Sequence, residues 1–333
     1  MKNPVWRVLW LALVLMASLS AGAAAIRRGE RVPVPGRAYV PLASWARANE
    51  FEVRLLERDK ILELSNRSAR LIFTLDPRQD SRKTRINGVT VWLALPLLTQ
   101  GGRTFISQTD LSSTLGPVLA PFKRQPAKKL KTICIDPGHG GKDPGFRVGS
   151  QEEKKYTLLL AQEVRGQLAE AGFNVFLTRA SDSTVRLEDR SEIARRRGAD
   201  VFVSLHFNAS EDAPREVRGV EIFCCTPAGA TSTNARGEGD THWVQGNRND
   251  ELNMLLAYQM QKACLRTLQV EDRGVKRARF QVLRDATMPA ILIEGGFMSH
   301  PLEGKRIFDP AYRRQMARAV VSGLLGFQKT ATN

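Results

Sequence analysis

From residue 131 onward the chain repeats one arrangement, a short continuous apolar run followed by a longer stretch with helical periodicity. The apolar runs fall at 132–136, 174–178, 201–205, 220–223 and 290–293. Unbroken runs of this length suit strands covered on both faces, because a strand with one wet face alternates instead. Between them, Leu158, Ala161, Val164, Leu168 and Ala171 recur three or four residues apart within 154–171, and similar stripes occupy 252–268 and 312–325. Buried strands alternating with amphipathic helices leave few architectures. The pattern predicts an α/β layer fold whose mostly parallel sheet is flanked by helices.

Three of these runs lead directly to a polar group. Ile133-Cys134-Ile135 is followed by Asp136-Pro137-Gly138-His139-Gly140-Gly141, the run 201–205 by His206, and Ile291-Leu292-Ile293 by Glu294. In open α/β sheets ligands gather at the carboxyl ends of the strands, which is where these side chains are expected. The glycines around His139 allow a sharp turn that projects the imidazole into open space. A fourth candidate, Glu153, opens the helical stretch and is placed to face the same crevice. A lone histidine in a turn is an ordinary surface residue; two of them with a carboxylate suit zinc, since they leave a coordination position open for water. Magnesium or calcium would ask for more oxygen ligands. A remaining carboxylate could then exchange protons with the water and the leaving group. Glu294 could instead be a paired core carboxylate, but an unpaired acid at the end of an apolar run needs a cation or an opening.

The rest of the chain sets the context. Lys2 and Arg7 precede an apolar run over 8–16 and the small residues Ala21-Gly22-Ala23-Ala24-Ala25, the pattern of a cleaved signal peptide over 1–25. No other segment is apolar enough to span a bilayer, so export without a stable membrane span is expected, to the periplasm, cell envelope or exterior. Two positive charges of a formal +16 lie in that leader, so the remaining chain stays basic. Outside the cytoplasm such charge favours acidic wall polymers. Nucleic acid is not expected as a partner, because no basic motif interleaved with aromatic residues occurs. Cys134, Cys224, Cys225 and Cys264 lack the paired spacing of a structural zinc site, and export would permit a disulfide. Residues 32–120 carry strand and hairpin cues, including Phe51-Glu52-Val53-Arg54-Leu55 and the turn Asn87-Gly88, and predict a smaller α+β domain. A basic linker over 121–130 precedes the larger domain at 131–328. The polar stretch 226–249, with His242 and Trp243, is long enough to be a lid over the site. Arg190 and Asn208 are candidates for orienting substrate.

Several motifs occur in an order that resembles a known family. They are Asp136-Pro137-Gly138-His139-Gly140-Gly141, Glu153-Lys154 with Leu158 and Leu160-Ala161, Leu177-Thr178-Arg179, Ser204-Leu205-His206-Phe207-Asn208-Ala209, and Ile293-Glu294-Gly295-Gly296-Phe297-Met298-Ser299. The set is similar to zinc-dependent N-acetylmuramoyl-L-alanine amidases of the type 3 amidase family, over about 131–327. That resemblance implies His139, Glu153 and His206 as zinc ligands, with Glu152 the rival of Glu153, and Glu294 as catalytic base. It also implies peptidoglycan as substrate and cleavage between N-acetylmuramic acid and L-alanine; acidic wall polymers or an activator protein are the further candidate partners. Phe207, Gly295 and His300 depart from the family pattern, where a small residue, a larger residue and asparagine are usual. A wall-binding protein with a vestigial site, or a zinc peptidase or deacetylase on the same scaffold, are the competing readings. Tyr39-Val40-Pro41-Leu42, Ile86-Asn87-Gly88 and 111–116 resemble a domain found at the N-terminus of some copper amine oxidases, which implies an interaction module without copper chemistry.

Overall fold

A computed structural model describes residues 32–34, 37–57, 60–76, 79–120, 129–235 and 239–332. The expected signal peptide lies outside the described residues, as does most of the expected linker. Eleven strands form one sheet. An antiparallel meander supplies β1 (Glu52–Leu56), β2 (Ile61–Ser65), β3 (Arg70–Thr74), β4 (Lys83–Ile86) and β5 (Val89–Trp92). The later strands are β6 (Thr132–Pro137), β7 (Asn174–Leu177), β8 (Val201–Asn208), β9 (Val220–Cys225), β10 (Asp272–Ala278) and β11 (Ala290–Phe297). Their spatial order is β7-β6-β8-β11-β9-β10-β5-β4-β3-β2-β1.

The first four in that order run parallel, as the apolar runs predict. β9 then lies antiparallel to β11, and β10 parallel to β9. Residues alternate between two cores. Ile133, Ile135, Val203, Leu205 and Ile293 face a core shared with the long helices α1 (Glu153–Glu170), α3 (Asp250–Leu268) and α5 (Pro310–Thr332). Cys134, Phe202, Phe223 and Leu292 face the other, with Ala194 of α2 (Leu187–Arg196) and Val282 of a short helix at Gln281–Arg284. A sheet buried on both faces has no use for alternating polarity, which is why its strands read as continuous runs. The helix α4 (Pro301–Phe308) follows β11.

β10 carries no apolar run and was not expected from the sequence. Its Lys276 and Arg277 are nevertheless buried, each held by polar partners, so charged residues occupy an interior strand. This strand is where the 32–120 segment joins the sheet. Val91 of β5 pairs in parallel with Val275, Thr90 N–H donates to Asp272 Oδ2 at 2.7 Å, and Tyr258 of α3 donates to Ile86 O at 3.1 Å. Arg277 Nη2 donates to Ser113 O at 2.9 Å and Thr114 Oγ1 at 2.8 Å. The accessory segment is thus bound to the sheet by backbone pairing as well as side chains. Its remaining strands, Val32–Val34, Arg37–Pro41, Leu98–Gln100 and Arg103–Ser107, make a separate small sheet.

The stretch 226–249 does not form the expected lid. Ala230 packs with Tyr39, Leu95 and Phe105, while Thr233 O accepts from Arg82. Other partners lie in the larger domain, where Arg279 donates to Pro227 O and His242 O and Val244 packs on the second core, and none of its described residues lines the cavity that holds the histidines. All four cysteines are buried and free, so neighbouring Cys224 and Cys225 serve as small core residues.

Because Arg277 satisfies two acceptors of the accessory segment, Arg277→Ala should cost about 2–3 kcal/mol of stability in urea unfolding. A loss below about 0.5 kcal/mol would mean that the contact is incidental.

Candidate metal centre

The site rests on a buried carboxylate. Asp136, near the end of β6, accepts from Thr178 Oγ1 at 2.5 Å, Ser204 Oγ at 2.8 Å and Arg190 Nη1 at 2.8 Å. Three neighbouring segments are therefore fastened to one point just before the glycine turn. Within that turn His139 adopts φ +62°, a left-handed conformation that costs a residue with a side chain. Surrounding bonds hold it there. Arg190 Nη2 donates to His139 O, Arg179 Nη2 and Thr157 Oγ1 both donate to Gly138 O, and Gly140 and Asp143 pair through their backbones. Gly138 also lets the second histidine approach, since a Cβ there would lie 2.3 Å from the His206 ring.

His206 and Glu294 sit inside their strands instead of just beyond them. β8 and β11 continue for three or more residues past the apolar runs, with His206 in register with Glu294. Glu153 is the first residue of α1 and is buried. Its Oε1 also accepts from Phe207 N–H and its Oε2 from Phe146 N–H, which fixes the carboxylate in both directions. Glu152 points elsewhere, engaged by Arg147 and Lys154.

Three donor atoms converge. His139 Nε2 lies 3.0 Å from Glu153 Oε1, His206 Nδ1 lies 3.1 Å from the same oxygen, and the two nitrogens are 3.2 Å apart. Tetrahedral zinc with bonds near 2 Å would hold its donors about 3.3 Å from one another. The triangle therefore fits one such ion with little movement, and its two imidazoles favour zinc over magnesium or calcium. Among the described residues these three form the group able to hold a metal. His242 stays apart, highly exposed and bonded to Asp240.

Electrostatics agree with a cation site. Burial alone would push the His139 pKa down, but hydrogen bonds and charge from Glu153 and Asp143 raise it. Burial would raise Glu153, yet the two imidazoles hold it well below the usual carboxylate range. Asp143 Oδ2 lies 2.8 Å from His139 Nδ1, so a proton on that nitrogen leaves Nε2 free as a ligand. Sequence reasoning missed Asp143, although an acid four residues after a histidine in a glycine turn was visible.

Glu294 is different. Its Oε2 is buried without a hydrogen-bond partner, and its pKa is raised by burial and then by Glu153 and Glu221, with Lys276 opposing. Glu221, directly opposite on β9, is neutralised by Lys276 Nζ at 2.6 Å and Arg273 Nε at 2.9 Å. An acid inside the apolar run 220–223 was the overlooked sign of this cluster. Asn208 Nδ2 donates to Glu221 Oε1 and Asn208 Oδ1 accepts from Ala209 N–H. Asn208 and Arg190 line the cavity while bonding to protein partners, which is the geometry of positioning residues.

The three departures from the family pattern also find physical reasons. A side chain at Gly295 would strike Met316 Sδ at 2.8 Å and Phe207 Cε1 at 3.2 Å, so the large residue at 207 fills the room that 295 leaves. His300 caps α4, its Nδ1 accepting from Leu302 and Glu303 N–H, a role asparagine also performs. A cavity of about 520 Å³ opens in front of the donors and Glu294, with Phe146, Leu187, Phe280 and Val282 on its apolar side.

Fold and site together define an α/β protein with three converging donors able to hold a metal ion at the carboxyl edge of its sheet. Residues 133–325 match the family model described as N-acetylmuramoyl-L-alanine amidase, and the chain belongs to that family. It is 36% identical over 224 residues to N-acetylmuramoyl-L-alanine amidase AmiC of Neisseria meningitidis, covering 60% of this chain and 53% of that one, so it spans about half of that relative. It is 28% identical to N-acetylmuramoyl-L-alanine amidase AmiA of Salmonella typhimurium, covering 78% of this chain and 94% of that one. The solved N-acetylmuramoyl-L-alanine amidase AmiC2 of Nostoc punctiforme superposes with a TM-score of 0.51 at 32% identity, covering 60% of this chain and 97% of that one.

Asp143→Ala should weaken zinc binding about 10–100-fold in a chelator competition while leaving the fold intact. Unchanged affinity would remove Asp143 from the account. A carboxyl whose pKa is raised on folding binds its proton more tightly in the folded state, so stability falls as pH rises from its ordinary value toward the raised one. Glu294→Gln should therefore stabilise the metal-free protein at about pH 8 and change little at about pH 4. Destabilisation at the higher pH would contradict the buried, unpaired carboxylate.

Proposed function

We propose that this chain is an exported zinc-dependent peptidoglycan amidase. It would cleave the amide between the lactyl group of N-acetylmuramic acid and the L-alanine that begins the stem peptide. Family membership supports the substrate class and bond. The observation that carries the chemistry is the triangle of His139, Glu153 and His206 beside a carboxylate without a partner, Glu294.

His139, Glu153 and His206 would hold the ion, with Asp143 fixing the His139 tautomer. When bound, zinc supplies Lewis acidity, polarising the amide carbonyl and acidifying water. Glu294 is the chain's proton carrier. Its carboxylate takes the proton from the attacking water and returns it to the alanine nitrogen as that amine departs. Burial raises the Glu294 pKa, and the Lys276 charge paired with Glu221 opposes that rise. Arg190 and Arg179 keep the strained His139 turn closed, and Asn208 ties the end of β8 to Glu221. The basic surface favours acidic wall polymers as a secondary attraction.

Digestion of purified sacculi followed by mass analysis tests the reading. Wild type should release stem peptides with a free L-alanine amine, and chelation should abolish release. Glu294→Gln should reduce the rate about 10²–10⁴-fold with zinc content unchanged. Equal release by this variant, or products cut within the peptide or lacking acetyl groups, would overturn the assignment.

A further inference from the structure

Two large apolar side chains at the cavity mouth remain in water. Leu187, the first residue of α2, is 55% exposed and Phe280, just before the short helix Gln281–Arg284, is 42% exposed, yet both line the cavity that holds the donors. α2, which carries Leu187, packs on the short helix that Phe280 precedes, and both side chains line the same cavity. Solvated apolar groups gathered at a polar site mark a ligand contact more often than chance exposure does.

Phe280 is held in place. Its ring meets Phe223 edge-on, with centroids 5.2 Å apart and planes at 63°. Phe223 is itself buried in the second core, so the contact fixes the Phe280 ring while much of it stays in water. The Phe280 carbonyl already accepts from Leu283 and Arg284 N–H. That carbonyl is therefore not free to pair with a peptide backbone, and Phe280 offers the cavity its ring. A pyranose needs no such pairing. Its C–H face can lie against the electron-rich face of an aromatic ring while its hydroxyl groups remain hydrated.

We propose that Phe280, flanked by Leu187, is a sugar-binding platform that receives the pyranose ring next to the scissile amide and so orients the glycan side of the substrate. This rests on the amidase reading, since it assumes that a sugar adjoins the bond. The two side chains differ in importance. Phe280 supplies the stacking face, and Leu187 closes the wall beside it. A fixed ring loses little freedom on binding, so its contribution should appear in affinity rather than in the chemical step.

Calorimetry on the zinc-loaded full chain carrying Glu294→Gln tests this without turnover. Two ligands are compared, a disaccharide-peptide from the wall and the same peptide bearing only a lactyl group. Adding Phe280→Ala should weaken the disaccharide-peptide about five- to tenfold and leave the lactyl-peptide unchanged, whereas Phe280→Trp should retain affinity for both. Truncation of a side chain this exposed leaves the core intact, and a thermal melt of each variant verifies that. Equal weakening of both ligands would mean that Phe280 touches the peptide and would overturn the proposal. So would an unchanged disaccharide affinity, or no binding of the disaccharide-peptide when Phe280 is present. Failure of the amidase reading has a separate signature: with Glu294 intact, sacculi release no stem peptide whatever the Phe280 variant binds.

Discussion

Most of this architecture depends on how the carboxylate of Asp136 is satisfied. A fully buried acid is tolerable only when its oxygens are occupied, and here Thr178, Ser204 and Arg190 reach it from three different segments. The same arginine continues to the carbonyl of His139. One network thus joins the sheet, α2 and the turn that presents the first candidate ligand. A strained residue at φ +62° persists only where its surroundings over-determine it, and these bonds do so.

That foundation explains why the donors can stand so close together. His206 and Glu294 come from adjacent strands in register, Glu153 from the start of a helix held by Arg179 through Lys154 O, and His139 from the clamped turn. None of the three candidate ligands relies on a long flexible loop. The exchange of bulk between Phe207 and Gly295 shows the same economy, because a large residue on one strand is accommodated by the missing side chain on the next.

Much of this was legible in the sequence. Continuous apolar runs and three-to-four spacing located five strands and the three long helices, and the polar residues after three of the runs pointed to one sheet edge. What escaped detection was polar and interior. β10 hides Lys276 and Arg277 behind partners that come from distant parts of the chain, so its local composition resembles a surface segment. Buried Glu221 and exposed Asp143 each left a visible sign, an acid in an apolar run and an acid four residues after a histidine, but their partners are set only by the fold. The 226–249 stretch misled for the converse reason: its polarity suggested a mobile cover, but Ala230 and Thr233 find partners in the 32–120 segment while Val244 and the Pro227 and His242 carbonyls find theirs in the larger domain. Side-chain periodicity reports which face is buried and does not reveal which distant acceptor a buried cation will find.

The central claim is that the chain holds one zinc ion on two imidazoles and one carboxylate, leaving a second carboxylate beside it for proton transfer. Anomalous diffraction at the zinc edge, from crystals of the zinc-loaded protein, addresses this most directly. The account predicts a single peak bonded to His139 Nε2, Glu153 Oε1 and His206 Nδ1, with Glu294 near it but unbound. A peak ligated by Glu294 in place of Glu153, or a loaded protein whose zinc lies elsewhere, would contradict it.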